Sequence, residues 1–239
     1  MTKKLYIALI VALASTLGLA SGCDHPGDSD QSPLYRWAQH DAPSSGERGS
    51  MMITEINFAG SVKDDGTHDA DDIFIELQNK HPRPINVTGW HLTIDGDVSR
   101  EYRIPEMKNP ISPNDYFVIA RKKDGAFQDS ADVIIPDLEL GTRRVRVQLR
   151  DYDKRMMEDG GSEDEDVFTG GYDTVAVRSM ERVQLIFANA GGNARNWHAY
   201  SEDEGGAGVA EGWRKFTLTS PGEANSSDYS GSSTTGSFE

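Results

Sequence analysis

Between Asp71 and Asp95 the chain reads DDIFIELQNKHPRPINVTGWHLTID. Ile73, Ile75 and Leu77 alternate with Phe74, Glu76 and Gln78, the two-residue period of a strand with unlike faces. Pro82 and Pro84 lack amide donors, so Asn79–Pro84 cannot continue that strand. A second run, Ile85–Ile94, is rich in β-branched and aromatic residues and predicts another strand. Gly89 inside it predicts a bulge or a close backbone approach. Trp90 has the large apolar area of an interior residue. Short runs of the same kind recur at Met51–Ala59, Tyr102–Ile104, Tyr116–Ala120, Val133–Ile135, Arg144–Leu149, Asp173–Val177 and Arg182–Phe187. An acidic loop at Gly60–Asp72 and a long one at Asp151–Gly171 interrupt them. No long stretch carries a helical period. Short strands separated by turn signals predict an all-β sandwich, with its interior built on the Ile/Leu/Trp pattern between 73 and 92.

The ends of the chain break this pattern. Lys3 and Lys4 precede an apolar run, Leu5–Leu19, as in an export signal. The run ends in Leu19-Ala20-Ser21-Gly22-Cys23, which resembles a bacterial lipobox. Small residues admit a peptidase, and the thiol receives the lipid. Cys23 is the single cysteine of 239 residues, so no intrachain disulfide can form, and lipidation at Cys23 accounts for its presence. Asp24 beside it resembles an inner-membrane retention signal, a rule that varies with lineage. Residues 23–50 then turn to Asp, Ser, Pro and Gly, the composition of a flexible tether. Residues 226–239 are Ser/Gly/Thr-rich and predict a disordered tail. The expected organisation is a signal peptide over 1–22, a tether over 23–50, a sandwich over 51–225 and the tail.

Charge narrows the partners. The formal net charge is −15, and such a surface repels phosphate backbones, so non-specific nucleic-acid binding is disfavoured. Arg143, Arg144, Arg146 and Arg150 are the candidates for a local basic stripe, against the plainer reading of solvated arginines on a strand edge.

Motifs for covalent and phosphate chemistry are missing from the sequence. There is no G-x-S-x-G elbow, no G-x-x-x-x-G-K-[ST] loop and no G-x-G-x-x-G. The six histidines are scattered, which does not suit zinc. Calcium is the better metal candidate, because it takes many oxygens from flexible loops. Asp64, Asp65, Asp69, Asp71 and Asp72 supply that density, as do Glu163, Asp164, Glu165 and Asp166, although neither run fits an EF-hand. Glu76 reads as a strand carboxylate bonded to nearby backbone or a side chain in preference to a glycosidase carboxylate. Trp197 and Trp213 are candidates for a sugar-stacking platform.

Several short motifs occur in an order that resembles the lamin-tail domain family. They are Ile53, Glu55 and Ile56 in ITEI; Ile75–Leu77 and Asn79 in IELQN; Gly89, Trp90 and Leu92; Pro113 and Tyr116–Ile119; and Pro221, Gly222 and Asn225 in SPGEAN. Together they span Met51 to Asn225. The chain departs from the family in having Thr54 where Asn is usual, and in a longer, more acidic Asp151–Tyr172 region. The resemblance implies an immunoglobulin-like sandwich that tethers or presents partners. The expected function is a lipid-anchored, non-catalytic binding or scaffolding module of the bacterial cell envelope. It would meet the membrane through Cys23 and an envelope protein or polysaccharide through the domain, with no cofactor unless calcium. A metal-assisted hydrolase using the acidic loops, or nucleic-acid binding as in lamin tails, are the alternatives.

Overall fold

The structure, a computed structural model, describes residues 48–183 and 190–227. The expected export signal, Cys23, nearly all of the expected tether and most of the expected tail lie outside them. Among the described residues the fold is an all-β, immunoglobulin-like sandwich. The strands are β1 (Met51–Asn57), β2 (Ser61–Val62), β3 (His68–Asp69), β4 (Phe74–Asn79), β5 (His91–Gly96), β6 (Arg100–Arg103), β7 (Tyr116–Ala120) and β8 (Val133–Ile134). They continue with β9 (Val145–Arg150), β10 (Met156–Ser162), β11 (Gly171–Tyr172), β12 (Val177–Arg178), β13 (Met180–Arg182), β14 (Trp197–Ala199) and β15 (Thr217–Leu218). The two main sheets have the orders β14-β13-β1-β4-β7-β8 and β10-β9-β5-β6, and two small ones are β11-β12-β15 and β2-β3.

Register sorts the side chains into layers. Ile56, Ile75 and Ile119 stand in one cross-strand row, and Ile53, Leu77 and Phe117 in the next. On the second sheet Leu92 pairs with Tyr102 and Leu149, and Ile94 with Val147. Trp90, Leu92, Ile94, Val147 and Leu149 are all fully buried, as the sequence pattern predicts for a sandwich interior.

β4 is buried on both faces, which its half-polar composition does not announce. The face carrying Phe74 and Glu76 lies under a further layer of chain. Phe74 meets Phe127 edge-on, with ring centroids 4.6 Å apart, in a cluster with Val118, Ala120, Ala126 and Val209. Asp72 anchors this layer. Its Oδ2 accepts from Ser61 Oγ at 2.6 Å and from the Ala126 amide at 2.7 Å.

Three sequence expectations shift in detail. Ile85–Ile94 is not one strand. Ile85 makes an isolated bridge to Ile111, the Trp90 amide closes a turn onto Val87 O, and the strand begins at His91. Gly89 sits in that turn at φ +74°, where a Cβ would stand 2.7 Å from the Tyr152 hydroxyl; the close approach is real, but outside a strand. The long loop after Asp151 is interrupted by β10, whose EDGGS segment pairs along β9. Acidic side chains mask that strand, and Gly160 is required beneath the Trp197 ring, 2.9 Å from the position of a Cβ. Asp173–Val177 is mostly a turn, because Asp173 Oδ1 accepts from the amides of Val175 and Ala176.

Gly125 passes so close to Asp72 that a Cβ there would lie 2.2 Å from the carboxylate. Gly125→Ala is expected to destabilise the domain by about 1–3 kcal/mol. Gly192→Ala, whose nearest contact would be 3.9 Å away, should leave the denaturant midpoint nearly unchanged. Equal midpoints for the two variants would contradict the packing described.

Candidate functional site: a buried glutamate row under the C-terminal segment

The middle strands of the larger sheet bring three glutamates side by side. Glu181 pairs with Glu55 across β13 and β1, and Glu55 pairs with Glu76 across β1 and β4. Directly paired residues point to the same face, and all three are 0% exposed. A register shift between Ile53 and Glu55 marks a bulge, which places Thr54 as the extra residue and turns Glu55 into line.

The segment Ser220–Ser226 closes over the row and supplies its donors. The Ser220 amide donates to Glu55 Oε1 at 3.0 Å. The Gly222 amide donates to Glu76 Oε2 at 2.6 Å, and Thr54 Oγ1 to Glu76 Oε1 at 2.6 Å. The Ser226 amide is 3.1 Å from both oxygens of Glu181, and its hydroxyl also donates to Glu181 Oε2. Pro221 and Gly222 form the turn that presents these groups. The Glu223 amide returns to Ser220 O at 3.1 Å, and Gly222 takes φ +82°, the pattern of a type II turn with proline first and glycine second. Asn225 completes the closure. Its Nδ2 donates to Thr54 O at 3.0 Å and to Arg182 O at 2.8 Å. Ser226, expected to open the disordered tail, is therefore part of the folded body.

Counting hydrogens favours a proton in this row. Ser220 Oγ contacts both Glu55 Oε2, at 3.3 Å, and Glu181 Oε1. A hydroxyl has one hydrogen to give, and a proton on either carboxyl makes both contacts hydrogen bonds. The electrostatics agree. Burial pushes the Glu55 carboxyl up to about 8, and repulsion from Glu181 adds to it. Burial, then the charge of Glu55, holds Glu76 well above the usual carboxylate range. Burial also raises Glu181, against the hydrogen bonds from Ser220 and Ser226. His198 stands beside it in the same row, with Nδ1 3.8 Å from Glu181 Oε2.

The other sequence candidates disperse. Asn79 stitches two turns together, with Nδ2 donating to Arg83 O and Ile111 O, each at 2.9 Å, and Oδ1 accepting from the His81 amide at 2.8 Å. Trp197 is buried, and its Nε1 donates to Gly191 O at 2.7 Å. Trp213 is half-buried against the Phe74 cluster.

The five aspartates go to separate partners. Asp64 accepts from the Lys215 amide at 3.1 Å, and Asp65 from the Thr67 amide at 2.9 Å. Asp69 pairs with Lys122, and Asp71 with Arg121 at 2.9 Å. Asp72 is buried with its pKa raised by desolvation. Among the described residues no three His, Cys, Asp or Glu side chains are grouped to hold a metal ion.

The arginines on and beside β9 are mostly bridged. Arg143 meets Asp166 at 2.8 Å, Arg144 meets Asp97 at 3.2 Å and Arg146 meets Glu163 at 2.8 Å. A separate cavity of about 290 Å³ is lined by Ile111, Tyr116, Phe117 and Asp132 among others, and shares no lining residue with the glutamate row.

Sequence reasoning singled out Glu55, Glu76, Pro221, Gly222 and Asn225 but missed Glu181, Ser220 and Ser226. A signal for Glu181 exists in retrospect: an acid in a short strand between Met180 and Val183, both apolar. The chain matches no protein-family model and no curated protein.

A carboxyl whose folded pKa is raised binds its proton more tightly folded than unfolded, so it stabilises at low pH and loses that contribution as pH rises. For Glu55 the window runs from the unfolded value of 4.5 to about 8. Glu158, pushed up by burial to about 7, has the same sign. Carboxylates held low, among them Asp69 by Lys122 and Asp97 by the Arg143 and Arg144 amides, lose stability only in stronger acid. The melting temperature is therefore expected to peak in mild acid and to fall from pH 5 to 8.5. Glu55→Gln, which carries no ionisable carboxyl, should flatten that fall. A melting temperature that climbs across the same range would contradict the protonated row.

Proposed function

We propose that the chain is a lipid-anchored, non-catalytic binding or scaffolding module of a bacterial cell envelope, built on a lamin-tail-type domain. The observation that carries the non-catalytic reading is the commitment of the glutamate row. All six oxygens of Glu55, Glu76 and Glu181 lie within hydrogen-bond distance of the chain's own amides and hydroxyls. Carboxyls that act as acids or bases need room for a substrate oxygen or a water, and these are covered by Ser220–Ser226. The row functions as a fastening.

The same fastening supports the lamin-tail resemblance. Glu55, Glu76, Pro221, Gly222 and Asn225 are scattered through the sequence, yet they meet at one closure. Residues that must act together give a reason for those motifs to occur together, in that order. The anchor rests on Lys3, Lys4, the apolar run and Cys23 at the end of LASGC. More than one acyl chain is needed for stable membrane attachment, and a lipidated N-terminal cysteine supplies it. The domain then presents its surface to an envelope protein, a polysaccharide or an extracellular polymer.

Labelling of the full chain with palmitate in a bacterial host tests the anchor. Label is expected in the wild type and absent from Cys23→Ala, with the wild-type chain sedimenting with membranes and the variant released. Equal labelling of both would overturn the proposal.

A further inference from the structure

On the smaller sheet, β6, β5 and β9 place Arg103, His91 and Arg150 in one cross-strand row, so the three side chains leave the same face. His91 is 3% exposed. Its Nδ1 lies 2.6 Å from Glu101 Oε1, which also accepts from Lys154 Nζ at 2.9 Å. A carboxylate bonded to Nδ1 holds the proton there, leaving Nε2 to face something else. Among the described residues Nε2 has no partner. Leaving a buried polar atom unpaired costs free energy, and such an atom calls for an explanation.

The charges around it share a sign. Arg150 bonds only neutral oxygens, Lys154 O at 3.1 Å and Gln148 Oε1 at 2.9 Å. Arg103 is exposed, and among the described residues no carboxylate bridges it. Arg143, Arg144 and Arg146 each have one. In the loop after β9, Asp151 bridges Arg155 at 2.5 Å, and Asp153 approaches the same guanidinium at 4.0 Å. Arg103, Arg150 and Lys154 therefore face His91 with Glu101 as the carboxylate between them, in a chain whose net charge is −15.

We propose that His91, Arg103 and Arg150 form a binding site for a phosphate or sulfate group. The imidazolium donates Nδ1–H to Glu101 and Nε2–H to the anion, and the guanidiniums supply paired donors matched to its oxygens. Arg103, unbridged and exposed, stands next to His91 in the row and supplies a guanidinium to the group. The site deepens the binding-module reading and rests on it in taking the group to be carried on an envelope polymer; free inorganic anion is the other source of the same chemistry.

The test titrates the purified full chain with inorganic phosphate, inorganic sulfate and dextran sulfate. The imidazole nitrogens are followed by long-range proton–nitrogen NMR, with His91 assigned through His91→Gln. Saturable protonation of His91 Nε2 is expected, with affinity about tenfold weaker in Arg103→Ala, the loss of one charge-assisted bond. An unchanged near-ultraviolet dichroism spectrum certifies the fold of that variant. Tighter binding of the polymer than of either free ion assigns the group to a polymer, and the reverse order assigns it to a small anion. Nitrogen signals that none of the ligands moves, or equal affinity in Arg103→Ala, would overturn the site. Neither result bears on palmitate labelling at Cys23, so failure of the site and failure of the anchored module remain distinguishable.

Discussion

Three carboxyl groups stand side by side in adjacent strands, wholly buried, and burial and mutual repulsion oppose all three being charged. The domain depends on how that conflict is resolved. An unpaired buried carboxylate is strongly destabilising. Here the penalty is lowered in two ways at once. A proton is retained within the row, and the remaining charge is met by amides and hydroxyls delivered by Ser220–Ser226. Neither device suffices alone. Without the segment the oxygens lose their donors, and without the proton Ser220 Oγ would face two acceptors with one hydrogen.

The consequence for architecture is long range. Glu55 takes its donor from a residue 165 positions later, so β1 cannot reach its final environment until the end of the domain is in place. The bulge at Thr54 belongs to the same arrangement. A bulge disrupts the ladder locally, and the Thr54 carbonyl is met by Asn225. Arg182 O accepts from the same amide, which joins β13 to the closure. The fold has no disulfide to tie its ends, and this polar closure does the tying. It lies on the same face as the Phe74–Phe127 cluster, so the larger sheet is covered on both sides, and β4 runs through the centre of the body.

Much of this was legible in the sequence, and what was not has a physical cause. Alternation over Ile73–Gln78 marks β4, and Val145–Leu149 marks β9, because apolar residues at two-residue spacing have few other uses. The extent of the strand near Trp90 was not legible, since the Gly89 amide is taken by Ile104 O, a partner outside the local pattern. β10 was hidden because an acidic, glycine-bearing segment has little strand propensity, and pairing with β9 overrides it. Glu55 and Glu76 stood out through family resemblance. The bonded, structural reading of Glu76 holds; the row itself was not legible, because an acid at a strand position looks solvent-facing until a third layer covers it. The aspartates between Asp64 and Asp72 looked like one site only because they are close in sequence; folding sends each to its own partner.

The picture is of a body whose buried acids serve cohesion. That account stands on the retained proton. The direct measurement is an infrared spectrum, at pH 7, of the full chain carrying isotope-labelled glutamate. The account predicts a protonated-carboxyl band that weakens in Glu55→Gln and declines as pH is raised through about 8. A wild-type spectrum at pH 7 showing only ionised glutamate would contradict it.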